Sequence, residues 1–194
     1  MISVEHWNAT LGKKYPVTVN DKGWVYGVWY CGTAWTKVRL YGQYPPGFLK
    51  RALALFPSVP EDRILHVPSG TLTGPGMTVD LIRDDVRCPK VQAPCNALPF
   101  EDNSYSLLIS DPPYSAADSK KYGCAPWPWR SFMQEASRVL EPGGVLGVLD
   151  TKYPIYHRKQ WQLIGLIAVV TGFCRATRMF SIFKNLKSAP PPLG

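Results

Sequence analysis

The stretch that most constrains this chain is Leu107-Leu108-Ile109-Ser110-Asp111-Pro112-Pro113-Tyr114. A short apolar run that stops at Asp-Pro-Pro-Tyr predicts a buried parallel strand whose C-terminal end opens into a stiff, extended loop. Each proline fixes its own φ and restricts the residue before it. Neither has an N–H, so carbonyls and a carboxylate, followed by an aromatic ring, face the space beyond the strand. That combination suits a planar group that donates hydrogens, such as the exocyclic amine of a base.

The rest of the composition bounds the context. The chain has 194 residues, 45% of them apolar, enough for one globular domain with an extension. Its formal charge of +8 favours a polyanionic partner, nucleic acid first. The five cysteines are scattered and show no metal-ligand spacing, so neither a metal site nor a disulfide framework is expected. No secretory signal is visible between Met1 and Thr10, and a cytoplasmic protein without a membrane segment is expected. The apolar run Trp161 to Cys174 is too short to span a bilayer and reads as a buried helix.

In chain order, residues 1–60 read as an aromatic and basic N-terminal extension, 61–187 as the main domain, and 188–194 as a Pro-rich disordered tail. Between Gly23 and Leu40, short strands or an irregular layer are expected. Lys37 and Arg39 sit there among Trp and Tyr, which either stack bases or form a small satellite core. A helix is expected over Phe48 to Phe56, and strands over Arg63 to Gly70, Met77 to Ile82 and, weakly, Val91 to Ala97. The first strand runs into a Gly-bearing turn, with no long helix behind it. Ser131 to Leu140 has helical spacing, Val145 to Leu149 reads as a strand, a helix is placed around Arg158 to Thr171, and Ala176 to Phe183 closes the pattern as a strand. The segment from Ser115 to Arg130 carries Lys120, Lys121, Trp127 and Arg130. It reads either as a mobile cover whose cations hold phosphates or as a surface loop with its Trp rings packed beneath.

Asp111-Pro112-Pro113-Tyr114 at a strand end resembles the catalytic motif of the S-adenosylmethionine-dependent amino-methyltransferases, which methylate exocyclic nitrogens of adenine or cytosine. Arg138-Val139-Leu140, followed by Pro142-Gly143-Gly144, is similar to the helix terminus before the fifth strand of class I methyltransferases. The resemblance spans roughly Arg63 to Lys184. It implies a Rossmann-like α/β fold with a mostly parallel central sheet flanked by helices. It also implies S-adenosylmethionine as cofactor, and a small phage-type or orphan enzyme without a separate recognition domain. Asp111, Pro112, Pro113 and Tyr114 take the catalytic positions. His66, Pro68, Ser69, Gly70, Asp80, Asn96 and Asp111 take the cofactor positions. The pattern departs in two places: Pro68 stands where the family has its first glycine, and Asn96 falls in a stretch that lacks the usual Asp. The implied activity is N6-adenine methylation of DNA, with RNA base methylation and N4-cytosine methylation as alternatives. An inactive fold that only binds nucleic acid is the non-enzyme alternative. In the catalytic reading Asp111 is an ordinary carboxylate, ionised near neutrality, and Tyr114 stacks on the base.

Overall fold

A computed structural model describes residues 2–11, 16–32, 43–172 and 175–188. Its helices are α1 (Val4–Thr10), α2 (Phe48–Ala54), α3 (Ala116–Lys121) and α4 (Trp129–Val139). The strands are β1 (Val17–Val19), β2 (Val25–Tyr30), β3 (Ile64–His66), β4 (Met77–Asp80), β5 (Val91–Gln92), β6 (Tyr105–Ser110), β7 (Leu140–Asp150), β8 (Trp161–Val170) and β9 (Arg178–Asn185). They form one sheet in the order β1-β2-β8-β9-β7-β6-β3-β4-β5. Five of the eight pairings are parallel; β1 and β9 oppose the rest. This is the Rossmann-like architecture expected from the sequence.

Strand β6 lies at the middle of the sheet and is buried on both faces, as a parallel strand inside an α/β layer must be. Leu107 and Ile109 join one core with Trp7, Trp29, Phe48 and Phe180. Leu108 faces the other core, where α4 contributes Phe132, Met133, Ala136 and Val139. The helix α4 runs into β7 without a loop, so its last carbonyls need other donors. Asn185 Nδ2 supplies Ser137 O and Leu140 O at 3.0 and 3.1 Å, and Lys187 Nζ supplies Ser137 O and Arg138 O at 2.7 Å each. Arg138 in turn binds Glu135 at 2.7 Å, and the carbonyls of Leu98 and Phe100 at 2.9 and 2.7 Å. That ties α4 to the segment leading into β6.

One sequence expectation is overturned. The run around Arg158 to Thr171 is not a helix: Trp161 to Val170 is strand β8, paired with β2 and β9. An unbroken apolar run does not by its period distinguish a buried helix from a strand. The β-branched Ile164, Ile167, Val169 and Val170 favour the strand. Trp161, Leu163, Gly165, Ile167 and Val169 are buried and alternate with half-exposed or exposed neighbours, the two-residue period of a pleated strand. The N-terminal strands β1 and β2 extend the same sheet beyond β8. Trp7 stacks on Trp29, ring centroids 5.6 Å apart, inside the first core. No helix among the described residues is long and apolar enough to cross a membrane.

Gly147 on β7 is required by close approach. A Cβ there would lie 2.6 Å from Phe180 Cε2 and Cζ. That ring is wholly buried and fixed edge-on against Phe48 at 5.1 Å. Gly147→Ala should destabilise the fold by about 1–3 kcal/mol, read as a lower urea midpoint, and adding Phe180→Leu should recover part of the loss.

Candidate active site

The sheet changes direction of winding between β3 and β6. The chain proceeds from β3 outward to β4 and β5 on one side, and from β6 to β7 on the other. In open α/β sheets a ligand crevice forms at such a point, outside the carboxyl ends of the strands. Here it is flanked by Val67 to Gly70 after β3 and by Asp111 to Tyr114 after β6.

A cavity of about 340 Å³ occupies this position, within the usual range for a small-molecule site. Pro68, Ser69, Gly70, Asp80, Asn96, Asp111, Pro113 and Trp127 all line it. Residues as far apart in sequence as Tyr44 and Pro128 therefore converge on one space. The β3 turn is held by Asp80: its Oδ2 accepts from Gly70 N at 2.8 Å and its Oδ1 from Ile82 N at 3.1 Å. Gly70 has φ 55°, the left-handed region glycine favours. Ser69 N bonds Val79 O at 2.8 Å, locking the turn to β4. Ser69 Oγ and Trp127 Nε1 are buried without a partner among the described residues. Both residues line the cavity, although these two atoms are themselves buried beneath its surface. Arg87, also in the wall, is committed to Asp84 by an Nε–Oδ2 bond of 2.9 Å. Burial pushes the Cys95 thiol up to about 12 and also raises that of Cys124, which disfavours the thiolate at both.

On the β6 side, the Tyr114 hydroxyl donates a short hydrogen bond to Asp111 Oδ1. Arg178, the first residue of β9, places Nη1 4.0 Å from Asp111 Oδ2. Its guanidinium carbon lies 5.0 Å from the centre of the Tyr114 ring. Asp150, at the tip of β7, is buried nearby. These surroundings correct the reading of Asp111 as an ordinary carboxylate. Burial pushes it up to about 7; the Arg178 charge and the Tyr114 hydrogen bond hold it down, and the Asp150 charge pushes it further up.

Other expected residues lie elsewhere. His66 does not line the cavity. Its ring is buried, with Nδ1 3.2 Å from the Tyr44 hydroxyl, which donates to Ile109 O at 3.1 Å. Burial holds His66 down to about 4, hence neutral. Pro112 is buried and is not part of the cavity wall. Tyr114 borders Asp111 but is not part of the wall. Lys120 and Lys121 sit on α3, exposed, and Lys121 pairs with Asp118 at 3.2 Å. Arg130 is exposed on α4. Lys37 and Arg39 lie outside the described residues. The segment Tyr122 to Pro128 forms part of the wall. Sequence reasoning gave Arg178 and Asp150 no role at this site, because Asp150 comes to Asp111 through the parallel pairing of β7 with β6, and Arg178 through the antiparallel seating of β9 against β7. Among the described residues no group of His, Cys, Asp or Glu is placed to hold a metal ion.

None of the family models compared matches this chain, and no curated protein matches it. Solved structures do. TrmN from Thermus thermophilus superposes with a TM-score of 0.50 at 17% identity, over 76% of this chain and 51% of its own. The chain therefore spans about half the length of that structure. A SAM-dependent methyltransferase from Methanosarcina mazei matches with a TM-score of 0.44 at 10% identity, over 67% of this chain and 95% of its own. At these identities the likeness to TrmN is one of fold.

The raised Asp111 has a thermodynamic consequence. A carboxyl whose folded value lies near 7, against an ordinary value of about 3.9, favours the fold at low pH. That stability is fully present below the ordinary value and lost as pH rises through 7. Asp111→Asn removes the buried charge, so it should raise the melting temperature at pH 8, by about 2–4 °C per kcal/mol recovered. The gain should shrink at pH 5; equal melting at both pH values would contradict it.

Proposed function

We propose that this chain is an S-adenosylmethionine-dependent methyltransferase that acts on the exocyclic amine of a nucleic-acid base, N6 of adenine in DNA first. The observation that carries the reading is Asp111, a carboxylate at the carboxyl end of the central strand, at the boundary between a cofactor-sized cavity and an aromatic ring. The likeness of fold to TrmN and the net charge of +8 support it.

Pro68, Ser69, Gly70, Asp80 and Asn96 would hold the cofactor, whose sulfonium supplies an activated methyl. Carboxylate and amide oxygens suit ribose hydroxyls and an adenine amine. The chain's own residues then serve the acceptor. An exocyclic amine is a weak nucleophile because its lone pair is delocalised into the ring. Asp111 accepts one amine hydrogen and the Pro112 carbonyl the other, which turns the lone pair toward the methyl carbon. As the N–C bond forms and the S–C pair stays on sulfur, the nitrogen acquires a positive charge that the carboxylate balances. The surplus proton then leaves to Asp111. A carboxylate with an ordinary value would be a poor proton acceptor, whereas one near 7 is matched to the task. A base in a duplex must leave its stack to reach this corner, and the exposed Lys120, Lys121 and Arg130 are placed on the same flank of the sequence to meet phosphates.

The test is transfer of a labelled methyl group to duplex DNA, single-stranded DNA and RNA, with the modified nucleoside identified by mass spectrometry. Methylated adenine in DNA is expected; a product only in RNA would move the substrate class, and a methylated cytosine would move the base. Asp111→Ala should lower transfer by more than about 100-fold while cofactor binding, measured by calorimetry, stays within a few-fold. Retained nucleic-acid binding with no cofactor binding would instead identify an inactive binding module. Because Asp111 works as the ionised form, the wild-type rate should rise with pH through about 7.

A further inference from the structure

The acceptor role asks Asp111 to point one oxygen at the substrate, and the protein already engages the other. Oδ1 takes the Tyr114 hydroxyl. Oδ2 faces Arg178 at 4.0 Å, beyond hydrogen-bond length but close enough for strong Coulomb attraction. Its lone pairs are therefore not spent on that guanidinium. The same guanidinium covers the Tyr114 ring at 5.0 Å, within cation–π range. Three groups from two separate places in the chain, the loop after β6 and the start of β9, thus brace one another. Arg178 is only 24% exposed, so it is held in this position rather than extended into solvent.

The geometry points to Arg178 and the Tyr114 hydroxyl as positioning residues that aim Asp111 Oδ2 at the acceptor amine and keep the carboxylate charged. This rests on Asp111 being the acceptor-side group of the proposed reaction. It assigns Tyr114 a task beyond stacking, since its hydroxyl orients the carboxylate. It also gives at least part of one ring face to Arg178. Three groups act on Asp111: Arg178 from β9, Tyr114 from its own loop, and Asp150 from the tip of β7. Arg178 is the largest of the influences opposing burial, followed by the Tyr114 hydrogen bond, while Asp150 adds to the effect of burial. Without Arg178, the Tyr114 hydrogen bond is left to oppose burial and Asp150. Tyr44, from the segment before α2, is itself raised by burial and by the Asp111 charge.

The test compares wild type, Arg178→Gln, Arg178→Lys and Tyr114→Phe in the full chain by two readouts. The first is the pH profile of methyl transfer. Arg178→Gln should move its acidic limb upward by about one pH unit or more. Arg178→Lys, which keeps the charge, should bring it most of the way back. Tyr114→Phe should move it in the same direction by less and lower kcat with little change in KM for nucleic acid. The second readout is the titration of the Asp111 carboxylate by isotope-edited NMR in the free protein, assigned with Asp111→Asn, which should shift in the same order without any substrate. An unmoved limb and an unmoved NMR midpoint in Arg178→Gln, with only KM raised, would overturn the inference and make Arg178 a phosphate contact. A pH profile and kcat unchanged in Tyr114→Phe would overturn the role given to its hydroxyl. A wild type that methylates no nucleic acid while the NMR midpoint still follows Arg178 would support the coupling and sink the base-methylation reading. Should Arg178→Gln fail to fold, Arg178→Lys and Tyr114→Phe supply both readouts.

Discussion

The pairing of β6 between β3 and β7 sets the position of everything else. Leu107 and Ile109 fill one core, and Leu108 fills the other, so the strand is gripped on both faces. Its parallel registers run as far as His66↔Ile109 and Ser110↔Val148. A slip deeper into the sheet would bring Asp111 into the ladder, where a carboxylate finds no solvation, and then Pro112, which has no N–H to donate. The apolar run therefore ends where it does because the next residues cannot continue it. The same incompatibility places Asp111 at the rim, at the point where the winding of the sheet reverses.

On the proposed reading, Asp111 is where the fold concedes stability to chemistry. A surface carboxylate would need no help to ionise, but it would be a weak proton acceptor and would keep its hydration. Burial strips that hydration and raises Asp111 to about 7, while Arg178 and Tyr114 limit the rise. Arg178 reaches the corner because β9 enters the sheet antiparallel next to β7, beginning at the rim where β7 ends. The one reversed strand inside the main sheet thus has an electrostatic use: it brings a cation to the carboxyl ends of its neighbours.

How much of this can be read from the chain varies by element. The central strand and its stop at Asp111 are legible because length, β-propensity and two prolines agree. The helix α4 is legible from its spacing, with Phe132, Met133, Ala136 and Val139 on one face. Strand β8 is not, because Leu163 to Val170 is apolar at nearly every position and its period appears only once one face is seen to be buried more deeply than the other. The cavity wall from Pro68 to Gly70, with Asp80 and Asn96, follows from strand order, which the resemblance to a known architecture provides. His66 stands next to that wall in sequence, but its buried ring meets the Tyr44 hydroxyl and Tyr44, not His66, reaches the cavity. Arg178 and Asp150 are invisible without the sheet topology, since nothing local to either residue marks it. The value of Asp111 near 7 is equally hidden, because it is a property of the surroundings and not of the motif.

The connections on the cofactor side of the sheet show what the site depends on. Residues 67–76 and 81–90, which join β3 to β4 and β4 to β5, contain no helix. Parallel strands are ordinarily joined through one, and the helix N-terminus then offers a positive end to an anionic ligand. Here the turn after β3 is held by other means, with Asp80 accepting from Gly70 N and Ile82 N and with Ser69 N bonded across to β4. A nucleotide with a diphosphate would miss the helix end most. A cofactor with a sulfonium and no phosphate would miss it least, because a positive helix terminus gives it no such gain. The loss of the crossover helices and the proposed cofactor are therefore compatible on electrostatic grounds. They also shift the burden of shaping the cavity onto one carboxylate, Asp80, whose two oxygens hold two backbone amides. On this side of the sheet, hydrogen bonds between adjacent strand ends supply bracing that packed crossover helices would otherwise give.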